Sequence, residues 1–192
     1  MTDVAAMFAR FLPVLRVRAL QFRLDPRCRA LLDGSDLVQE ACLKAVANLD
    51  RFRGTTEGEM VVWLTEILKT AAIDLFRREH ARKRKPPDDL AAVVADVADQ
   101  SSRRFERVAA SSADSPSRVA DRREGLVRLA AAIERLPVRQ REVFVAHFLL
   151  DQTVAEIAEQ RGETPKAVAG RILRGMKRVR ELLRMGQGNA DT

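Results

Sequence analysis

The sequence contains no tyrosine, one tryptophan (Trp63), two cysteines and two histidines, and each shortage removes a class of protein from consideration. Cys28 and Cys42 are too few and too isolated for a disulfide framework or a zinc site, so a reducing, cytoplasmic setting is expected. His80 and His147 stand alone, one in a basic run and one beside apolar helical residues, and neither marks a metal centre or an acid–base pair. No apolar run approaches the roughly 18–20 residues needed to span a bilayer, and no membrane partner is expected. The opening stretch MTDVAAMFARFLPVLRVRAL lacks the charged-then-apolar layout and small-residue cleavage site of a signal peptide. Also missing are a Walker loop, a dinucleotide GxGxxG, a His-Glu metal motif and a serine nucleophile elbow. With no catalytic cluster, metal or cofactor motif, an enzyme is not expected. Nor does any window alternate polar and apolar residues as a half-buried strand does, so the expected fold is all-α.

Hydrophobic residues are 46% of the chain, enough for a core, and the formal charge of +7 points to a polyanionic partner, nucleic acid first. The charge is uneven. Residues 1–86 carry 16 basic and 11 acidic side chains, residues 87–120 carry 4 and 6, and residues 121–192 carry 14 and 10. Two basic blocks therefore flank a mildly acidic, serine-rich middle. This layout predicts two small helical domains, 1–86 and 118–186, joined by a flexible linker, 87–117, with a disordered polar tail, 187–192.

The final block carries the strongest local signals. Thr153 and Glu156 fit a capping box at a helix start, and Val154, Ile157 and Ala158 give that helix an apolar face. Gly162 suits a turn that needs positive φ. Thr164 and Pro165 restart a helix, as N-cap and first residue. Val168, Ile172, Met176 and Val179 form the inner face of this second helix. Seven basic residues between Lys166 and Arg184 crowd its other sides against one acid, Glu181. A helix-turn-helix follows, with an ordinary helical hairpin bearing a solvated basic face as the alternative. Arg161 stands where an apolar residue normally buries before the glycine, its stem able to lie on the core with its head in water.

Upstream, residues 8–24 read as a helix with Phe8, Leu12, Leu15 and Ala19 inward, Arg18 outward, and Pro13 bending it or marking its start. After the turn signals Asp25-Pro26 and Asp33-Gly34, Ser35 is expected to cap a second helix that buries Leu37, Ala41 and Val46. Asp36, Gln39 and Glu40 stay exposed near its start. In the following loop, Phe52 between Arg51 and Arg53 either stacks a base, with the cations on phosphate, or plugs the core. A long third helix begins at Thr56 or Glu57, with Met60, Leu64, Ile67, Ala71 and Leu75 inward, widened by Trp63 and Leu68. Lys69, Thr70, Asp74, Arg77 and Arg78 are on its outer side. Only a weak helix, about 90–97, is expected in the linker. Two more helices precede the helix-turn-helix, the first of them burying Leu126, Leu129, Ala130 and Ile133.

Taken together, SDLVQEACLKAVANLDRFRG, WLTEILKTAAIDLFRR and LPVRQREVF…VAEIAEQRGETPKAVAGRILRGMKRVREL resemble the extracytoplasmic-function sigma factors of bacterial RNA polymerase, within the sigma-70 family. The resemblance implies sigma region 2 in the first domain and region 4 in the second. It implies that the protein binds core polymerase through the β and β′ subunits and directs promoter recognition, local melting and initiation. Asp36, Leu37, Gln39 and Glu40 would be polymerase-binding. Arg51, Phe52, Arg53, Lys69, Thr70, Asp74, Arg77 and Arg78 would face the −10 element. Thr164, Lys166, Arg171, Arg174, Lys177 and Arg178 would face the −35 element, with Arg171 reaching a base edge. An anti-sigma factor is a further candidate partner. Thr70 departs from the asparagine common at its position, and few aromatics line the third helix. The competing readings are a free-standing helix-turn-helix regulator that does not depend on polymerase, and a nucleic-acid-processing enzyme, for which a metal or nucleophile cluster is lacking.

Overall fold

The computed structural model describes residues 4–28, 34–83, 90–111 and 119–187. Eight α-helices are described: α1 (Val4–Leu24), α2 (Gly34–Ala47), α3 (Glu57–Lys83), α4 (Leu90–Ser111), α5 (Val119–Glu134), α6 (Val138–Leu149), α7 (Val154–Arg161) and α8 (Pro165–Gln187). A short 3-10 turn, Leu49–Arg51, follows α2, and no strand occurs among the described residues. The helices fall into two compact units, Met1–Ser102 and Arg103–Thr192.

In the first unit, α1, α2 and α3 pack around one apolar core. Phe11, Val14, Leu15, Val17, Ala19 and Phe22 come from α1, Leu37, Ala41 and Ala45 from α2, and Met60, Val61, Leu64, Leu68, Ala71, Ala72 and Phe76 from α3. Pro13 neither starts nor ends α1, which continues on both sides of it. A proline inside a helix forfeits a backbone hydrogen bond, and burial of Phe11, Val14 and Leu15 around it offsets that loss. Three faces differ from the sequence pattern. Arg18 is buried rather than outward, its Nη1 donating to Ser102 Oγ at 2.8 Å. Ala45 is buried in place of Val46, which is exposed, because the inward stripe of α2 runs 37, 41, 45. On α3, Phe76 is fully buried while Ile67 and Leu75 are only half-buried. Gly34 is already helical, so Ser35 lies inside α2 rather than before it.

The linker differs most. Where an extended segment with a short helix was expected, α4 runs for 22 residues. Its buried positions Val94, Val97, Ala98, Ser101, Phe105 and Ala109 recur every three or four residues, the spacing of one helical face. Within the first unit, α4 is tied by Asp96 to Arg27 (2.7 Å), by Asp99 to Lys69 (2.8 Å) and by Ser102 to Arg18. The rest of the expected linker and the tail beyond Gln187 lie outside the described residues.

In the second unit, Leu126, Leu129, Ala130 and Ile133 are buried as the sequence implies, with Val143, Phe144, Val145, Ala146 and Leu149 of α6. The Arg141 guanidinium donates to the carbonyls of Glu134 (2.6 Å) and Leu136 (3.2 Å), satisfying acceptors that the end of α5 leaves open. His147 serves the architecture, since its Nδ1 donates to the Gln152 carbonyl at 2.9 Å and pins the turn after α6. In that turn Asp151 takes φ 63°, a left-handed conformation that aspartate tolerates better than most residues.

Candidate nucleic-acid interface

The helix-turn-helix forms from the local signals that its sequence carries. Thr153 Oγ1 accepts from the Glu156 N–H at 3.2 Å, and the Glu156 carboxylate accepts from the Thr153 N–H at 2.7 Å, closing the capping box of α7. The bond from the Thr153 N–H first, and then one from the Thr153 hydroxyl at 2.8 Å, hold the Glu156 carboxyl below the usual carboxylate range. Gly162 takes φ 63°, a conformation unfavourable for other residues, and Thr164 Oγ1 accepts from the Ala167 N–H at 3.3 Å to cap α8. Val168, Ile172, Gly175, Val179 and Leu182 turn inward. Met176, expected on the same face, is half-buried, and Gly175 lies beside the Phe144 ring of α6.

Thr164, Lys166, Arg174, Lys177 and Arg178 are exposed on α8. Arg178 pairs with Glu181 at 3.3 Å, and Arg174 lies back across Gly170. Arg171 is half-buried. It is held by Glu163, whose carboxylate also takes Arg161 at 3.3 Å, and Arg161 reaches Glu142 at 3.0 Å. The charge sequence Glu142–Arg161–Glu163–Arg171 thus links α6, α7, the turn and α8. It also explains why an arginine stands at position 161, since two carboxylates receive it there.

In the first unit, Asp36 and Gln39 are exposed on α2, and Glu40 is half-buried. Leu37, one residue round the helix from Asp36, is fully buried in the core. Glu40 pairs with Arg78 at 3.1 Å, and Lys44 of α2 pairs with Asp74 at 2.8 Å. The residues expected to face a protein partner and those expected to face nucleic acid are therefore in direct contact. Arg77 and Arg78 are exposed. Thr70 is exposed too, its hydroxyl donating to the Glu66 carbonyl one turn back at 3.0 Å. Lys69 is engaged on both sides, by Glu66 at 2.7 Å and Asp99 at 2.8 Å. Burial works to lower its pKa, but the bonds to Asp99 and Glu66 outweigh it and leave the ammonium above its ordinary value.

The loop before α3 is built around Phe52. Its ring lies 5.2 Å from that of Trp63, tilted by 44°. A Cβ on Gly54 would come within 2.4 Å of the Phe52 ring and 2.8 Å of Glu59 Cβ, so only glycine fits. Phe52 is half-buried, packed on the surface of α3 rather than set into the core, with Arg51 and Arg53 exposed on either side. Glu59 closes the loop, its carboxylate accepting from the N–H groups of Thr55 (2.8 Å) and Thr56 (2.9 Å). Thr56 Oγ1 accepts from the Glu59 N–H in return. This second Thr-x-x-Glu capping box is written in the sequence, and α3 starts at Glu57 where the sequence puts it. Among the described residues no cluster of His, Cys, Asp and Glu could hold a metal ion, and no helix is long and apolar enough to cross a membrane.

Comparison with known proteins places both units. A family model described as Sigma-70 region 2 matches residues 7–82, and one described as Sigma-70, region 4 matches residues 126–179. The ECF RNA polymerase sigma factor SigM of Mycobacterium tuberculosis is 27% identical over 151 residues, in both strain H37Rv and strain Erdman. The match covers 79% of this chain and 64% of the relative, so the chain spans under two thirds of the length of these curated proteins.

Proposed function

The chain belongs to the sigma-70 family, as a member of the extracytoplasmic-function type, and from that premise we propose that it is a promoter-specificity subunit that binds core RNA polymerase and directs initiation. One observation carries the reading: a capped helix-turn-helix with an exposed basic second helix shares a chain with a helical unit presenting Asp36 and Gln39 beside exposed arginines.

In this reading Asp36, Gln39 and Glu40 dock on the polymerase β′ clamp, while Thr164, Lys166, Arg174, Lys177 and Arg178 approach the −35 element. Cations along the helix hold phosphates and set register, and the first turns reach base edges. Arg171 acts through Glu163, fixing how α8 enters the groove. On the −10 side, Phe52 supplies a ring face for an unstacked base, and Arg51, Arg53, Arg77 and Arg78 hold the strand. Extruding a base costs a few kcal/mol, which stacking at about 1–3 kcal/mol and phosphate contacts offset. Lys69 joins that surface when Asp99 yields to a phosphate.

The test is transcription by the purified full chain with core polymerase on a promoter library, with specific start sites expected. Tight DNA binding without polymerase, together with no initiation on any template, refutes the reading. Asp36→Ala combined with Gln39→Ala is expected to weaken polymerase binding and leave the helical circular dichroism unchanged. Wild-type affinity in that variant refutes the docking role.

A further inference from the structure

The middle of the basic face of α8 is not basic. Lys166, Gly170, Leu173 and Lys177 follow one another at intervals of four, three and four residues and so form a single outward stripe. The buried stripe Val168, Ile172, Gly175, Val179 and Leu182 runs on the opposite side of the helix. Leu173 is 61% exposed. The other exposed large apolar side chains described in this unit, Val138 and Met185, lie at the start of α6 and near the end of α8. Leu173 alone among these three projects between cations along the recognition helix.

We infer that Leu173 is a specificity-determining residue that reads the 5-methyl group of a thymine in the major groove of the upstream promoter element; this rests on the promoter reading above. Three features fit that occupant. Thymine is the DNA base that offers an apolar group on the major-groove edge, and small apolar side chains recognise it by contact. Side chains on a helix lean over the preceding turn, which here is Ala169 and Gly170, neither of which carries a bulky side chain of its own. The Arg174 guanidinium lies across Gly170, 3.4 Å from where its Cβ would be, and Leu173 stays 61% exposed beside it. Lys166 and Lys177, at the two ends of the stripe, match the phosphates on either side of the groove. Arg171, the arginine expected to read a base, is instead committed to Glu163. Discrimination by methyl contact supplies what that arginine does not.

The experiment removes one methyl group from the DNA and one side chain from the protein. With core polymerase present, the wild-type chain selects its upstream element from a randomised duplex library, and each thymine of that element is then replaced by deoxyuridine. At one position the replacement is expected to lower promoter use about fourfold, the ordinary worth of one buried carbon. Leu173→Ala, a change on an exposed helical surface, is expected to use the thymine and deoxyuridine promoters equally. Leu173→Met is expected to restore the preference. The inference is overturned if Leu173→Ala retains the full thymine preference, or if no thymine shows a methyl effect with the wild type. Either result leaves the promoter reading standing, because a sequence has still been selected. If no upstream sequence is selected at all, the promoter reading and this inference fall together.

Discussion

Gly54→Ala tests the construction of the loop before α3 at its tightest point. The added methyl would sit 2.4 and 2.7 Å from two carbons of the Phe52 ring and 2.8 Å from Glu59 Cβ, all inside any tolerable carbon–carbon contact. Glu59 is fixed in the first turn of α3 by four hydrogen bonds with Thr55 and Thr56, so the Phe52 ring is the part that yields. Moving it forfeits the contact with Trp63, worth about 0.5–1.5 kcal/mol beyond area burial, and partly re-exposes an aromatic ring. If Glu59 shifts as well, loss of the cap adds about 1 kcal/mol. The expected destabilisation of the first unit is about 1–3 kcal/mol. Trp63 is the only tryptophan in the chain, so its fluorescence reports on this unit by itself. Urea unfolding followed at that wavelength is expected to show a lower midpoint, and the folded-state emission of Trp63 is expected to change as Phe52 leaves it. An unchanged midpoint with unchanged emission refutes the packing argument. In transcription, the same variant is expected to lose open-complex formation more than closed-complex binding.

Three further outcomes are expected. Glu156 has a depressed pKa in the folded state, so its contribution to stability is complete above the unfolded carboxylate value near 4.3 and is lost as pH falls through the lower folded value. Glu156→Gln should therefore shrink the stability difference between pH 6 and pH 3 in thermal unfolding, and an unaltered difference contradicts the capping assignment. Cys28 is fully buried and burial pushes its thiol up to about 12, whereas Cys42 is half-buried with a smaller rise. Thiol reagents at pH 8 should modify Cys42 first and reach Cys28 only on unfolding, as peptide mapping of a time course would reveal. Gly125 lies inside α5 with nothing within 4 Å of where its Cβ would be. Gly125→Ala should raise the stability of the second unit by about 0.5–1 kcal/mol, read as a higher circular-dichroism midpoint.

What could be read from the sequence depended on whether the deciding interactions were local. Thr153 with Glu156, Gly162, and Thr164 with Pro165 each act within a few residues, and the helix-turn-helix came out where those residues put it. Faces were harder. Val46 and Ala45 are adjacent and both apolar, and only the packing of α2 against α1 and α3 chooses between them. Arg18 defied its charge because Ser102, 84 positions away, supplies a partner. The long α4 was concealed by composition: its inward stripe is mostly alanine, valine and serine, too weakly apolar to stand out until the helix is seen packed. At the interface, the exposed residues were legible as types, but their pairings were not. Asp99 on Lys69, Glu40 on Arg78 and Glu163 on Arg171 join residues whose proximity no local pattern encodes.

The helical state of α4 also sets a length. As 22 residues of helix it measures about 33 Å from end to end, at about 1.5 Å per residue. Drawn out as extended chain, the same residues reach about 73 Å, at about 3.3 Å each. Its seat on the first unit is built from buried Val94, Val97 and Ala98 and the Arg18–Ser102 bond, with its acidic ties at the surface and Ser101 Oγ buried without a hydrogen-bond partner. Unwinding a turn would expose part of that buried stripe, and each residue that unwound would add about 1.8 Å. The buried stripe thus holds the segment at the shorter of its two lengths.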